Sequence, residues 1–172
     1  MGSALYGLKS MTSDCPEVCL VLSALLPKVK ACKTLLSAQD VGNALYGLRG
    51  MASDVPAVRA MILALIPKVK SCSQRFTVRA VENSLHGLRN MRSDHPEVAA
   101  MVSALTVKIR HCDGDLDTKY INTAMYSMGK MDNSQAEVKE LFSLFPKARL
   151  YRIDSAARAS ILEARANKTY IA

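Results

Sequence analysis

One phrase returns every forty residues, and that period constrains the chain more than any other feature. Residues 37–51 read Ser-Ala-Gln-Asp-Val-Gly-Asn-Ala-Leu-Tyr-Gly-Leu-Arg-Gly-Met. The phrase recurs at 77–91 and at 117–131, and its second half opens the chain at 3–11. Met11, Met51, Met91 and Met131 keep the beat. A fixed period in this range marks a repeat array, in which each unit buries its apolar face only by stacking on its neighbours.

Within one period, two helices can be read. Val41, Ala44, Leu45, Leu48 and Met51 form one apolar face at helical spacing. Ser37, Thr77 and Asp117 precede that helix as N-caps, and Leu36–Val41, Phe76–Val81 and Leu116–Ile121 make a hydrophobic staple in each copy. The second helix repeats Val58, Met61, Ile62, Leu65 and Val69, matched by Val18, Val21, Leu22, Leu25 and Val29, and by Val98, Met101, Val102, Leu105 and Ile109. Pro16, Pro56 and Pro96 suit its first turn. Asp14 with Glu17, Asp94 with Glu97 and Ser134 with Glu137 have capping-box spacing. Pro27 and Pro67 are expected to kink or stop the second helix. The abundance of Leu, Ala, Val and Met agrees with helix.

The expected fold is therefore all-α: an α-solenoid of four helix-turn-helix repeats of about forty residues over 1–150, with 151–172 as a C-terminal capping helix or divergent repeat. The first copy lacks its opening turn and cap, as expected of a fragment, a trimmed N-terminus or an expression scar. That leaves an open end where further repeats or a protein partner would fit. No apolar run approaches the roughly 20 residues of a membrane span, and neither a signal peptide nor a myristoylation signal is legible. Five cysteines suit reduced thiols in an intracellular compartment better than a disulfide framework.

Other repeated columns invite functional readings. The net charge of +8 suggests an anionic partner. Lys28, Lys30 and Lys33, then Lys68 and Lys70, then Lys108, Arg110 and His111, and finally Lys147 and Arg149 make either a basic ridge for phosphates or cations at helix C-termini. Cys32, Cys72 and Cys112 share a column whose members stand a helix spacing apart, too far to converge on one metal ion. Gly7, Gly47, Gly87 and Ser127 point to close approach of a neighbouring helix.

One stripe remains on the first helix: Gln39, Gly42, Tyr46 and Arg49. Its echoes are Tyr6 with Lys9; Arg79, Glu82, His86 and Arg89; and Lys119, Asn122, Tyr126 and Gly129 with Lys130. A ring with a cation one turn on, repeated along an array, suits single-stranded nucleic acid: rings stack on bases and cations neutralise phosphates. Packing of the rings between repeats is an equal alternative. Asn43 and Asn83, in one column with Ser3 and Thr123, offer groups that could read base edges; the alternative, toward which a mid-helix Asn leans, is a bond to a neighbouring backbone carbonyl. No nucleophile–base pair, metal cluster or phosphate loop interrupts the period, so neither an enzyme nor a cofactor is expected.

The Asp-Val-Gly-Asn-Ala-Leu-Tyr-Gly-Leu-Arg-Gly-Met run, a short turn with Pro56, and a Leu-rich second helix reaching Pro67 together resemble the octotricopeptide repeat, a pentatricopeptide-related family of helical repeats. The likeness covers about residues 1–147. Units there are usually a little shorter, and Trp is common where Tyr or His stands here. The resemblance implies an organellar RNA-binding α-solenoid, in mitochondrion or plastid, acting in RNA stability, processing or translation. It also implies an alternative role as a protein–protein scaffold in an assembly such as an organellar ribosome.

Overall fold

The computed structural model describes residues 1–114 and 128–145. Asp117, Lys119, Asn122, Thr123, Tyr126, Ser127, Lys147, Arg149, the Leu116–Ile121 staple and the whole of 151–172 lie outside the described residues. Those described are all-helical: α1 (Gly2–Tyr6) running into a 3-10 turn (Gly7–Ser10), α2 (Pro16–Ala31), α3 (Ala38–Gly47), α4 (Pro56–Ser71), α5 (Val78–Gly87), α6 (Pro96–Arg110) and α7 (Ala136–Ser143). An isolated bridge joins Thr77 to Asp113.

The helices lie in two rows. In one, α1 packs on α3 and α3 on α5; in the other, α2 packs on α4, α4 on α6 and α6 on α7. Each of these contacts joins elements about one period apart in sequence. Between the rows runs one core, in which Val41, Leu45, Leu48 and Met51 meet Val58, Met61, Ile62, Leu65 and Val69, with their counterparts in the next unit. The helical spacing of these residues is what brings them to one face. The apolar face of α2 departs from this pattern: Val21 is 42% exposed, whereas Met61 and Met101 at the same position are fully buried.

Caps decide where each helix begins. Ser37 Oγ accepts from the Asp40 amide at 3.0 Å and Asp40 reaches back to the Ser37 amide, a complete capping box. Thr77 Oγ1 accepts from the Ala80 amide at 3.2 Å. Leu36, Val41, Phe76 and Val81 are buried as their staples require. At the second helices the expected boxes do not form. The caps there are Cys15, Val55, His95 and Gln135, without a side-chain cap bond. Proline forces the residue before it into extended backbone, so the residue preceding Pro16, Pro56 or Pro96 becomes the cap and Asp14 or Asp94 falls one place too early. Ser134 also falls one place too early, although Ala136 follows the cap there, and its amide donates to Asp132 Oδ1 at 2.8 Å. Nor do Pro27 and Pro67 stop their helices, because each lies near the C-terminal end, with the last turn continuing to Ala31 and Ser71.

The first-helix row is drawn tight by glycine. A β-carbon on Gly47 would collide with the Leu5 carbonyl, and one on Gly87 with the Leu45 carbonyl. Gly7, in the same column, has nothing within 4 Å of that position. Three buried serines tie the turns: Ser13, Ser53 and Ser93 accept from the amides of Ala52, Arg92 and Asp132 at 2.9, 2.9 and 2.8 Å.

Gly47→Ala should lower unfolding stability by about 1–3 kcal/mol, as overpacking does. Gly7→Ala, in a right-handed helical conformation with open space, should be neutral or raise it by up to about 1 kcal/mol. Urea unfolding of the two variants distinguishes them, and equal losses would refute the role assigned to the glycine.

Candidate nucleic-acid interface

The stripe predicted on the first helices is a set of parallel columns on one flank of the α1–α3–α5 row. Because successive first helices stack in register, a residue and its counterpart forty places on become side-by-side neighbours. Tyr6 stacks on Tyr46 with ring centroids 5.7 Å apart and planes 21° from parallel. Tyr46 stacks on His86 at 5.4 Å and 24°. The rings therefore pack between repeats, as one of the two sequence readings has it. A base between two such rings would need about 7 Å, twice the carbon–carbon van der Waals separation, so no base can enter between Tyr6 and Tyr46 or between Tyr46 and His86.

The cations beside the rings are engaged too. Lys9 Nζ lies 4.1 Å from the Tyr6 centroid and Arg49 Cζ 4.8 Å from that of Tyr46. Arg49 Nε donates to the Lys9 carbonyl at 2.8 Å, and Arg89 Nε to the Arg49 carbonyl at 3.0 Å. The last carbonyls of a helix have no partner within it, and a carbonyl just past the end of α1 and of α3 is thus capped by the guanidinium of the next unit. Arg49 Nη1 also donates to the Tyr46 hydroxyl. Asn90 Nδ2 donates to the Arg49 carbonyl at 3.0 Å, and Lys130 Nζ donates to Asn90 Oδ1 at 3.3 Å. Sequence reasoning missed Asn90, which has no repeated counterpart, and Ser13, Ser53 and Ser93, whose recurrence in the first three turns was the available signal.

Arg89 Nη1 points at His86 Nε2 at 3.4 Å, which calls for a lone pair on that nitrogen. Burial, then the charges of Arg89 and Arg49, push the His86 imidazole below its usual pKa. Both effects favour the neutral ring.

Beside this ladder lie two columns of another kind. Gln39 and Arg79 are exposed, and Asn43 and Asn83 are half-buried. None of these four side chains makes a hydrogen bond to the rest of the described residues. Among the described residues, then, neither Asn43 nor Asn83 bonds a neighbouring carbonyl, although the Asn83 β-carbon packs beside Gly42 of the preceding first helix. They remain polar groups on an accessible flank.

The basic ridge divides the same way. Lys68 Nζ donates to the Cys32 carbonyl, and Lys108 Nζ to those of Lys70 and Cys72 at 3.0 and 2.6 Å. These lysines cap the helix ends of the preceding unit. Lys28, Lys30, Lys33 and Lys70 are exposed. Of the cysteine column, Cys72 is buried, and burial followed by the charge of Asp113 pushes the Cys112 thiol up. No cluster of metal-ligating side chains occurs among the described residues, and no described helix is long and apolar enough to cross a membrane. No protein-family model, curated protein or solved structure matches the chain.

A pH dependence follows from His86. Its folded pKa lies below the unfolded value near 6.5, so the unfolded chain takes up the proton first and stability falls as pH drops below about 6.5. His86→Tyr, which restores the ring found at positions 6 and 46, should remove that component. Urea unfolding of both proteins at pH 8 and pH 5.5 would show a smaller loss in the variant; an equal loss would contradict a neutral, stacked His86.

Proposed function

We propose that the chain is a solenoid of four forty-residue helical hairpins that binds single-stranded RNA along the flank carrying Gln39, Asn43, Arg79 and Asn83. The observation that carries this reading is the pair Asn43 and Asn83. Asn is a poor helix former, yet it stands mid-helix at one repeat position and its side chain makes no hydrogen bond to the other described residues. Its amide offers a donor and an acceptor, the pattern needed to pair with a base edge. Arg79, exposed beside it, supplies a cation for a phosphate. The edges of Tyr6, Tyr46 and His86 border this flank, with Lys9 and Arg49 against the tyrosine rings, and by sequence period alone Lys119, Tyr126 and Lys130 fall in the matching columns. The excess of positive charge favours a polyanion. The resemblance to octotricopeptide repeats supports the same class of ligand and, with it, a role in organellar RNA stability, processing or translation.

The test separates side chains that bind from side chains that hold the fold. Asn43→Ala with Asn83→Ala should leave stability unchanged or raised, since Ala favours helix, while weakening affinity for a single-stranded RNA pool at least about fivefold. Arg79→Ala should flatten the logarithmic salt dependence by about 0.7, the value of one phosphate contact on a single strand. No RNA binding at low salt, or an unchanged affinity in the double variant, would overturn the proposal. Arg49→Ala and Arg89→Ala are poor probes because each uncaps a carbonyl between units.

A further inference from the structure

The interface between successive units is built from a fixed set of contacts, seen twice over. A glycine of one first helix receives a carbonyl of the preceding first helix: Gly47 against Leu5, Gly87 against Leu45. A lysine near the end of the second helix donates to carbonyls at the end of the preceding second helix: Lys68 to Cys32, Lys108 to Cys72. A methionine after the first helix, Met51 or Met91, is fully buried, as is the second-helix Met61 or Met101.

The first unit carries the receiving half of this set, and none of it is filled. Gly7 faces open space. Met11 is 42% exposed, and Val21, at the position of Met61, equally so. Leu25 is only partly covered where Leu65 is buried. Lys28 is exposed where Lys68 reaches a carbonyl. Apolar surface and hydrogen-bonding groups thus stand in the same geometry that two interior interfaces show occupied. Gly7 has a further point in its favour: helical glycine costs about 1 kcal/mol against Ala, and nothing within the described residues uses the space it leaves.

We propose that the outer face of α1 and α2 is a docking surface for a helical hairpin of this same forty-residue pattern. The incoming first helix sets a backbone carbonyl on Gly7. The incoming second helix covers Met11, Val21 and Leu25, and its terminal carbonyl accepts from Lys28. The argument is continuity with the interface already present between α1–α2 and α3–α4, and between α3–α4 and α5–α6. It does not depend on RNA binding, which uses a different flank.

The register supplies a direct experiment. Placing a second copy of residues 36–80 immediately before Met1 of the full 172-residue chain puts Met1 where Val81 stands, forty residues on from position 41. The added hairpin should fold onto the face. Helical ellipticity should rise by the share of the added helices, and the urea midpoint should rise with it. Gly7→Val should abolish most of that rise in the extended protein, yet shift the midpoint of the unextended protein by no more than a surface substitution does. Added residues that stay unfolded, or that fold with no sensitivity to Gly7→Val, would overturn the proposal. So would concentration-dependent dimers of the unextended chain that Gly7→Val disrupts, since the occupant would then be a second copy.

Discussion

The structure depends on how closely one first helix approaches the next. At Gly47 and Gly87 the missing side chain lets a backbone carbonyl of the preceding helix come into contact. That approach costs helix propensity at each glycine, about 1 kcal/mol, and it sets the spacing of everything else in the row. Rings forty residues apart fall to 5.4 and 5.7 Å and stack. A guanidinium reaches the end of the preceding helix and caps its carbonyl. With a larger residue at position 47 or 87 the helices would part, and the ladder and the caps would loosen together.

That closeness also sorts the polar residues. Those whose columns face the seam between units are committed to it: Tyr46, Arg49, His86, Arg89, Lys68, Lys108 and the three buried serines. The side chains of a second group, Gln39, Asn43, Arg79 and Asn83, make no hydrogen bond to the other described residues. The first group holds the units together, which leaves the second, with exposed lysines such as Lys28, Lys30 and Lys33, to meet a ligand. The distinction moves the candidate binding surface sideways, from the aromatic stripe to the amide and Arg79 columns beside it, with the ring edges as their border.

Much of the fold could be read from the chain because its signals are local. The helical spacing of Val41, Leu45 and Leu48, the cap at Ser37, and the Leu36–Val41 and Phe76–Val81 staples each involve residues within one turn, and they stand as read. Where two local signals competed, the reading failed. Asp14 and Asp94 have capping-box spacing, but Pro16 and Pro96 set the backbone of the intervening residue and so moved the cap. Pro27 looked like a stop, but it lies where little of the helix remains to be lost. The site was less legible, because a period reports which residues share a column and not how far apart successive members stand. Only the ring separations decide whether a base can enter between Tyr46 and His86. Likewise, the exposure of Val21 depends on what lies against α2, which no pattern within the helix records.

The division between seam and binding flank is open to a single observation. In a nuclear magnetic resonance titration with single-stranded RNA, the side-chain amide signals of Asn43 and Asn83 should shift progressively, while the Nε–H signals of Arg49 and Arg89 stay in place and exchange slowly with solvent. The opposite pattern, with the two guanidinium signals moving and the two amides still, would contradict the assignment of Arg49 and Arg89 to the seam and of the Asn column to the ligand.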